Sequence, residues 1–518
     1  MKVKMTSNRN NASENHMGNS VSEDVIGVPI TKHPLYYVGT LVYTRAGLAS
    51  LFMWILWGDF CFTMMETVVP SIVPLRMREL QSPNWIMGLV LVTLPSILNV
   101  LLNPIISTAS DRHRGRFGRR IPFMLLTVPF VSMALCLMAF STELGAWFHG
   151  LIGTMTGWSA AAVTVGVIAM AMGLFKFSDM FVNTVFWYFF NDVVPQQVMA
   201  RFLGLFRIVG ASVGIIYNYF IFQYALSHLR LIFLLVAGLY FIGFGLMCLM
   251  VKEGKYPPAS KLSEKRGDII QMVKTYMGEC LQHRIYLYFF LHNMFWSLAG
   301  ACGIFGVFLN LSLGLTLQQI GTIAAACGVA NMVFTYPAAA LADRFHPLRA
   351  MLWIKAGMIL ITPLNFIWLF TNYTPEVNFK IMFALQAIGI PLSLIYMAVG
   401  LPMFMRVLPK DRFGQFCSFN AICSAGVGAF AGVVAGGFID MMRKVFPDET
   451  WGKDFCYRMI PVWSLPFLIL GMVFLVLLYR SWKELGGDKH YIPPGSDSVL
   501  AVVEESDEDA LQKAKGIL

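Results

Sequence analysis

Ser110-Asp-Arg-His-Arg-Gly-Arg-Phe-Gly-Arg-Arg-Ile-Pro122 sets five arginines and an aspartate between two long apolar runs, Trp85 to Thr108 and Ile121 to Phe140. Runs of that length cross the hydrocarbon core of a bilayer as helices. A short, strongly basic loop between two such spans belongs on the cytoplasmic side. The motif returns in shortened form as Ala342-Asp-Arg-Phe-His-Pro-Leu-Arg349. A charged loop that recurs between apolar helices predicts a polytopic membrane protein built from two related halves.

Composition agrees. Of 518 residues, 57% are hydrophobic and 13% charged, with a mean hydropathy of +0.63. Soluble domains carry about 25% charged residues. The net charge of +10, from 39 basic and 29 acidic residues, is concentrated in inter-helix loops. It therefore reads as attraction to an anionic leaflet, with no nucleic acid implied. No cleavable signal pattern opens the chain. The nine cysteines are scattered without a C-x-x-C pair, so they read as packing residues, and no metal or other cofactor is expected.

Twelve apolar runs follow one another near 48–75, 85–108, 121–141, 160–191, 203–225, 229–251, 285–313, 319–341, 350–371, 378–407, 414–440 and 460–480. Basic loops follow the even-numbered runs: Arg112 to Arg120, Lys252 to Arg266, Arg344 to Arg349 and Arg406 to Arg412. Both termini are thereby expected in the cytoplasm. Arg76 and Arg78, and Arg443, Lys444, Lys453 and Arg458, break the pattern. The expected organisation is a polar cytoplasmic tail over 1–45, a six-helix half over 46–251, a cytoplasmic central linker over 252–284, a second six-helix half over 285–480 and a cytoplasmic tail over 481–518. Pro195 with Pro409, Phe202 with Phe416 and Gly214 with Gly428 repeat at one offset of 214 residues. Two six-helix halves of this kind predict an all-α major facilitator architecture, its solute site near the midplane between them.

The loop Ser-Asp-Arg-x-x-x-Arg-Phe-Gly-Arg-Arg-x-Pro-Phe resembles that of the glycoside–pentoside–hexuronide:cation symporters and the related sucrose transporters. Asn103-Pro104-Ile105 and Asn183-Thr-Val-Phe-Trp187 resemble that family's second and fourth helices. The resemblance implies transport of a sugar or glycoside by alternating access. It also exposes a departure. Melibiose-permease-like members carry paired aspartates on helix two that bind the coupling cation and another aspartate on helix four, and the matching positions here are Asn99 and Asn103, and Asn183. Carboxamides supply neither charge nor a titratable proton, so sodium coupling through that site is not expected. In the charged loop, Asp111 is expected to accept from neighbouring helix N-termini. Arg112, Arg116, Arg119 and Arg120 are expected to bridge helix ends as a cytoplasmic gate, with Asp343 and Arg344 in the second half.

Ionisable groups at bilayer depth cost about 2.5–3.5 kcal/mol each on insertion scales and mark function by default. Asp59 and Glu66 lie two turns apart in run one; Lys176 and Asp179 lie one turn apart in run four. Together they form a candidate buried cluster, formally −2 when all four are ionised. Asp59 or Asp179 is a candidate proton carrier with Lys176 as its switchable partner. A static Lys176–Asp179 pair is the competing reading. Asn99, Asn103, Asn183, Trp187, His292, Asn293 and Trp296 are the candidate cavity residues. Gly428, Gly432 and Gly436 form a G-x-x-x-G-x-x-x-G face, expected to pack closely against another helix.

No G-x-x-x-x-G-K-[ST] loop and no catalytic constellation occurs, so neither ATP hydrolysis nor an enzyme is indicated. The sequence predicts a monomeric secondary transporter in the plasma or inner membrane, taking up a small solute with a proton. An efflux antiporter and an uncoupled facilitator are the alternatives. Run five reads Gly210-Ala-Ser-Val-Gly214 without the Gly-Pro step typical of drug–proton exchangers.

Overall fold

The computed structural model describes residues 36–153, 157–254, 278, 280–410 and 412–495. Twelve of its helices are long and apolar enough to cross a bilayer: α1 Arg45–Glu79, α2 Asn84–Arg112, α3 Ile121–Ala139, α4 Ala160–Val193, α5 Gln196–Tyr224, α6 Leu229–Met250, α7 Arg284–Ser312, α8 Leu317–Ala342, α9 Pro347–Phe370, α10 Pro375–Val407, α11 Phe413–Val445 and α12 Phe455–Glu484. Polar caps fix several starts. Thr44 Oγ1 accepts from the Gly47 amide, and Ser159 Oγ from the Ala162 amide, each at 3.2 Å. Thr316 and Gln319 close a reciprocal capping box on α8. Prolines inside α1 (Pro70, Pro74), α2 (Pro104) and α10 (Pro391, Pro402) bend helices that exceed the span a bilayer needs.

The described segments before α1 and after α12 carry structure of their own. A hairpin, β1 Tyr36–Val38 with β2 Leu41–Tyr43, precedes α1 where the sequence suggested a polar tail. Its turn touches Gly254, just beyond α6. After α12 the chain folds back on the second half: Tyr491 Oη donates to the Val407 carbonyl at 2.8 Å, and Tyr286 Oη to that of Pro494 at 2.7 Å. Most of the expected linker lies outside the described residues.

The two halves repeat one packing scheme. Phe202 on α5 is buried against Phe52 of α1, and its counterpart Phe416 on α11 is buried against Tyr286 of α7. The halves meet through α2 with α11 and α5 with α8. Glycine makes these approaches possible. A Cβ on Gly432 would stand 2.7 Å from Val92 Cβ, and one on Gly436 2.6 Å from Trp85 Cα. On the other side, Gly321 lies against the Asn218 carbonyl and Gly328 against Ile215. Contacts this close between backbones require residues without side chains.

Among the described residues, side-chain bonds between the halves gather at the same end. Asp440 on α11 accepts from the backbone amides of Asn84 and Trp85, each at 3.0 Å, and from Asn84 Nδ2 at 2.7 Å. Tyr457 Oη donates to Asn84 Oδ1 at 2.8 Å. Arg78 pairs with Asp454 and lies over the Phe308 ring. This is the face opposite the basic loops. Toward the basic loops Leu101, Ile105, Trp187 and Tyr336 are exposed, while the contacts described between the halves gather at the opposite face.

The sealed face also explains the arginines that broke the charge pattern. Arg76 pairs with Glu79 at 2.6 Å, and Arg443 with Asp454 at 3.3 Å. Arg458 donates to the carbonyls of Trp368 (3.1 Å) and Ser312 (2.9 Å). They are structural cations engaged with protein acceptors, and Arg443 and Arg458 line a vestibule of about 1110 Å³ with Arg78 and Tyr457.

Candidate functional site

The first half carries its charges on α1 and α4, whose apolar faces bury the polar groups between them. Lys176 Nζ lies 3.0 Å from Glu66 Oε1 and 3.1 Å from Asp179 Oδ2. Lys176 and Asp179 are one turn apart on α4, while Glu66 reaches across from α1. Asp179 is fully buried and its Oδ1 has no hydrogen-bond partner among the described residues. Lys176 also lies over the Phe175 ring, 5.0 Å from its centroid.

Three of the four predicted charges thus form one triad. The fourth does not join it. Asp59 is buried two turns back on α1, where Oδ1 accepts from Thr63 Oγ1 at 3.2 Å and Oδ2 has no partner among the described residues. With both carboxyls ionised the triad carries one net negative charge, and Asp59 adds another. One lysine offers three donors and cannot neutralise two carboxylates.

The asparagines assemble beside it. Asn103 Nδ2 donates to Asn99 Oδ1 at 3.3 Å, and Thr184 Oγ1 donates to Asn103 Oδ1 at 3.1 Å. Asn183 is half-buried one turn before Trp187, whose ring packs edge-on against Phe190 and Phe206 while the residue stays 45% exposed. In the second half, Asn293 Nδ2 donates to Asn420 Oδ1 on α11 at 3.0 Å. His292 turns away from the central space: it is fully buried and bonds the Gly471 carbonyl on α12 at 2.7 Å. Trp296, half-buried, packs with Tyr396 on α10 at 5.7 Å between centroids.

At the basic face the structure revises the expected network. Glu253, after α6, is the carboxylate that caps a helix N-terminus: it accepts from the amides of Arg119 (2.8 Å), Arg120 (2.8 Å) and Ile121 (2.6 Å) at the start of α3. That role had been expected of Asp111, which instead accepts from the Arg120 guanidinium. Asp192 at the end of α4 takes Arg119 Nε at 2.8 Å and Arg120 Nε at 3.2 Å. Arg112 and Arg116 are exposed, as are Asp343 and Arg344. In the second half Arg349 pairs with Asp488, which follows α12. Burial holds the His346 imidazole below its ordinary pKa, against the pull of Asp488. These ties join elements within one half, which suits a face that stands open.

Sequence reasoning missed Asp192 and Glu253, acidic residues at helix ends, and Asp440, within the last turns of α11. It also missed Lys355, a lysine inside α9 that is 1% exposed. Only its depth within an apolar run marked it.

Among the described residues no group of three or more His, Cys, Asp or Glu side chains is placed to hold a metal ion. No curated protein matches the chain. Solved structures do, at low identity. A bacterial homolog to the human lysosomal transporter Spinster, in an inward-facing and occupied conformation, shares 14% identity with a TM-score of 0.56, over 86% of this chain and 99% of that one. A bacterial homologue of the iron transporter ferroportin, also inward-facing, shares 11% identity and a TM-score of 0.59, over 83% and 99%. A D-xylose–proton symporter shares 13% identity and a TM-score of 0.52, over 81% and 97%. At such identities the likeness establishes the fold. The family model for the Major Facilitator Superfamily matches residues 55–433. The chain is therefore a multi-pass integral membrane transporter, not an enzyme, and it belongs to the Major Facilitator Superfamily.

Proposed function

We propose that this transporter takes up a sugar or glycoside together with a proton, by alternating access between residues 46–251 and 285–480 about the linker over 252–284. In this reading it is a monomer of the plasma or inner membrane, related to the glycoside–pentoside–hexuronide:cation symporters, with both termini cytoplasmic. The basic face is then the cytoplasmic one, and the conformation described is open to the cytoplasm.

The observation that carries the coupling reading is the Glu66–Lys176–Asp179 triad, with its unpartnered Asp179 oxygen. A proton on Asp179 would leave Lys176 paired with Glu66 alone and remove the net negative charge of the triad. Asp59 offers a second unpartnered carboxyl oxygen on the same helix as Glu66. Rocking of α1 against α4 would alter how closely Lys176 holds each carboxylate, and so link proton occupancy to the open face. The similarity to a D-xylose–proton symporter supports the same reading at the level of fold. Against sodium, Asn99, Asn103 and Asn183 stand where the resembled family places carboxylates, and Asn103 is bonded to Asn99 and to Thr184. For the solute, the half-buried or exposed amides and rings of Asn183, Trp187, Asn293 and Trp296 offer hydrogen bonds and flat apolar faces. The Arg119, Arg120, Asp111 and Asp192 cluster would close or release the cytoplasmic gate.

Uptake of a labelled glycoside panel by proteoliposomes, under a pH gradient, a sodium gradient or neither, tests the proposal. Wild type should concentrate at least one glycoside under the pH gradient and ignore sodium. Asp59→Asn or Asp179→Asn should abolish that accumulation while exchange across the membrane persists. If both single variants still concentrate the solute, the coupling assignment fails. If wild type responds to neither gradient, the protein is a facilitator.

A further inference from the structure

The second half holds a buried cation that the coupling reading leaves unused. Lys355 Nζ on α9 lies 2.5 Å from His292 Nε2 on α7. His292 is held in turn by the bond from Nδ1 to the Gly471 carbonyl, at 2.7 Å. A carbonyl only accepts, so the imidazole proton sits on Nδ1 and Nε2 is an acceptor for the ammonium. The rest of the ammonium faces two rings: the Trp296 centroid at 3.9 Å and the Tyr396 centroid at 5.0 Å. No carboxylate lies within ion-pair distance of Lys355 among the described residues, and the residue is 1% exposed.

A buried lysine with one neutral acceptor and two ring faces is under-compensated. Among the described residues, two of its three donors have no oxygen or nitrogen partner. What would complete the site is an anion, and the geometry indicates its approach. Trp296 and Tyr396 are both half-buried, so each presents part of its ring away from Lys355. Trp296 lies on α7 one turn beyond Asn293, whose amide bonds Asn420 of α11. Both rings lie against Lys355, and Trp296 shares α7 with the Asn293 amide. Across the bundle, the net negative triad would repel an anionic group and direct it to this half.

We propose that Lys355, oriented by His292, receives the carboxylate of the transported solute, with the Trp296 indole moving aside as the lid of the site. The solute is then an acidic one, its carboxylate bound by the second half and its hydroxyls by the amides. This rests on the sugar-or-glycoside reading only for the hydroxylated part.

Calorimetric titration of the full-length protein in lipid nanodiscs tests it with isosteric pairs that differ in charge: gluconate against gluconamide, and benzoate against benzamide. Wild type should bind gluconate at least tenfold more tightly than gluconamide. Lys355→Gln should erase that preference and Lys355→Arg should retain most of it. Trp296→Ala, which removes the lid and keeps the charge, should leave the preference in place. A wild-type protein that binds gluconate and gluconamide equally well, or a folded Lys355→Gln variant that still prefers gluconate, overturns the carboxylate site and leaves the glycoside reading standing. The wild-type comparison decides the matter even where Lys355→Gln does not fold. If neither sugar derivative binds while benzoate binds over benzamide and depends on Lys355, the anion site holds and the glycoside reading falls. Absence of any charge-dependent binding across both pairs overturns the site.

Discussion

Asp440→Ala should shift the transporter toward the state open at the face that is sealed here. Asp440 accepts three hydrogen bonds from the start of α2, two of them from backbone amides at 3.0 Å. Bonds to a charged acceptor contribute about 1.5–3 kcal/mol net, and a carboxylate at a helix N-terminus adds roughly 0.3–1 kcal/mol. Asp440 is only half-buried, so solvent screening argues for the lower end, about 2 kcal/mol in all. The acceptor is on α11 and the donors on α2, so this stabilisation exists only while the halves touch. About 2 kcal/mol is roughly a thirtyfold change in the ratio of the two states. Asp440→Asn keeps an acceptor but loses the charge, and should give a smaller shift. Spin labels at Gln81 and Lys453, which line the sealed-face vestibule from opposite halves, would report the change by double electron–electron resonance. The long-distance population should grow in the order wild type, Asn, Ala. An unchanged distance distribution for folded Asp440→Ala would refute the reasoning, and would mean that the glycine contacts alone hold the face shut.

Two further outcomes follow from the same packing. Gly432→Ala puts a methyl 2.7 Å from Val92 Cβ; overpacking of about 1–3 kcal/mol should open the sealed face, whereas Gly437→Ala, with nothing within 4 Å, should leave the same spin-label distances unaltered. Glu253→Gln weakens a cap on three α3 amides within one half, so it should lower the thermal midpoint by a loss of about 1–2 kcal/mol without changing those distances; a shift in the distances would make Glu253 part of the gate.

The spans were legible because a bilayer imposes a simple rule: apolar runs of helical length, with basic residues in one set of loops. The charged members of the first-half site were legible for a related reason, since Glu66, Lys176 and Asp179 are conspicuous inside apolar runs. Their partnership across α1 and α4 needed only the approach of two helices. Asp59 was equally visible, yet its local bond to Thr63 and its place two turns back keep it out of the triad. Asp440 and Glu253 were not legible, because each bonds backbone amides, and an amide leaves no mark in a sequence. Their partners are 356 residues away for Asp440 and Asn84, and 134 for Glu253 and Arg119. Lys355 escaped for the opposite reason: its surroundings are rings and a histidine, none of which signals a cation site until three helices are brought together.

The glycine crossings of α2 with α11 have a kinetic consequence. Where Gly88 meets Gly432 and Gly436 meets Asn84, backbone lies on backbone, and glycine has no rotamers to freeze when the contact forms or to release when it breaks. A seam of interlocked leucines or methionines would have to order its side chains at each closure and withdraw them at each opening. Here the surfaces that separate are already rigid before they touch. The ordering cost of each cycle falls chiefly on the few side chains around Asp440, Tyr457 and Arg78, so the seam can part and re-form without repacking a core.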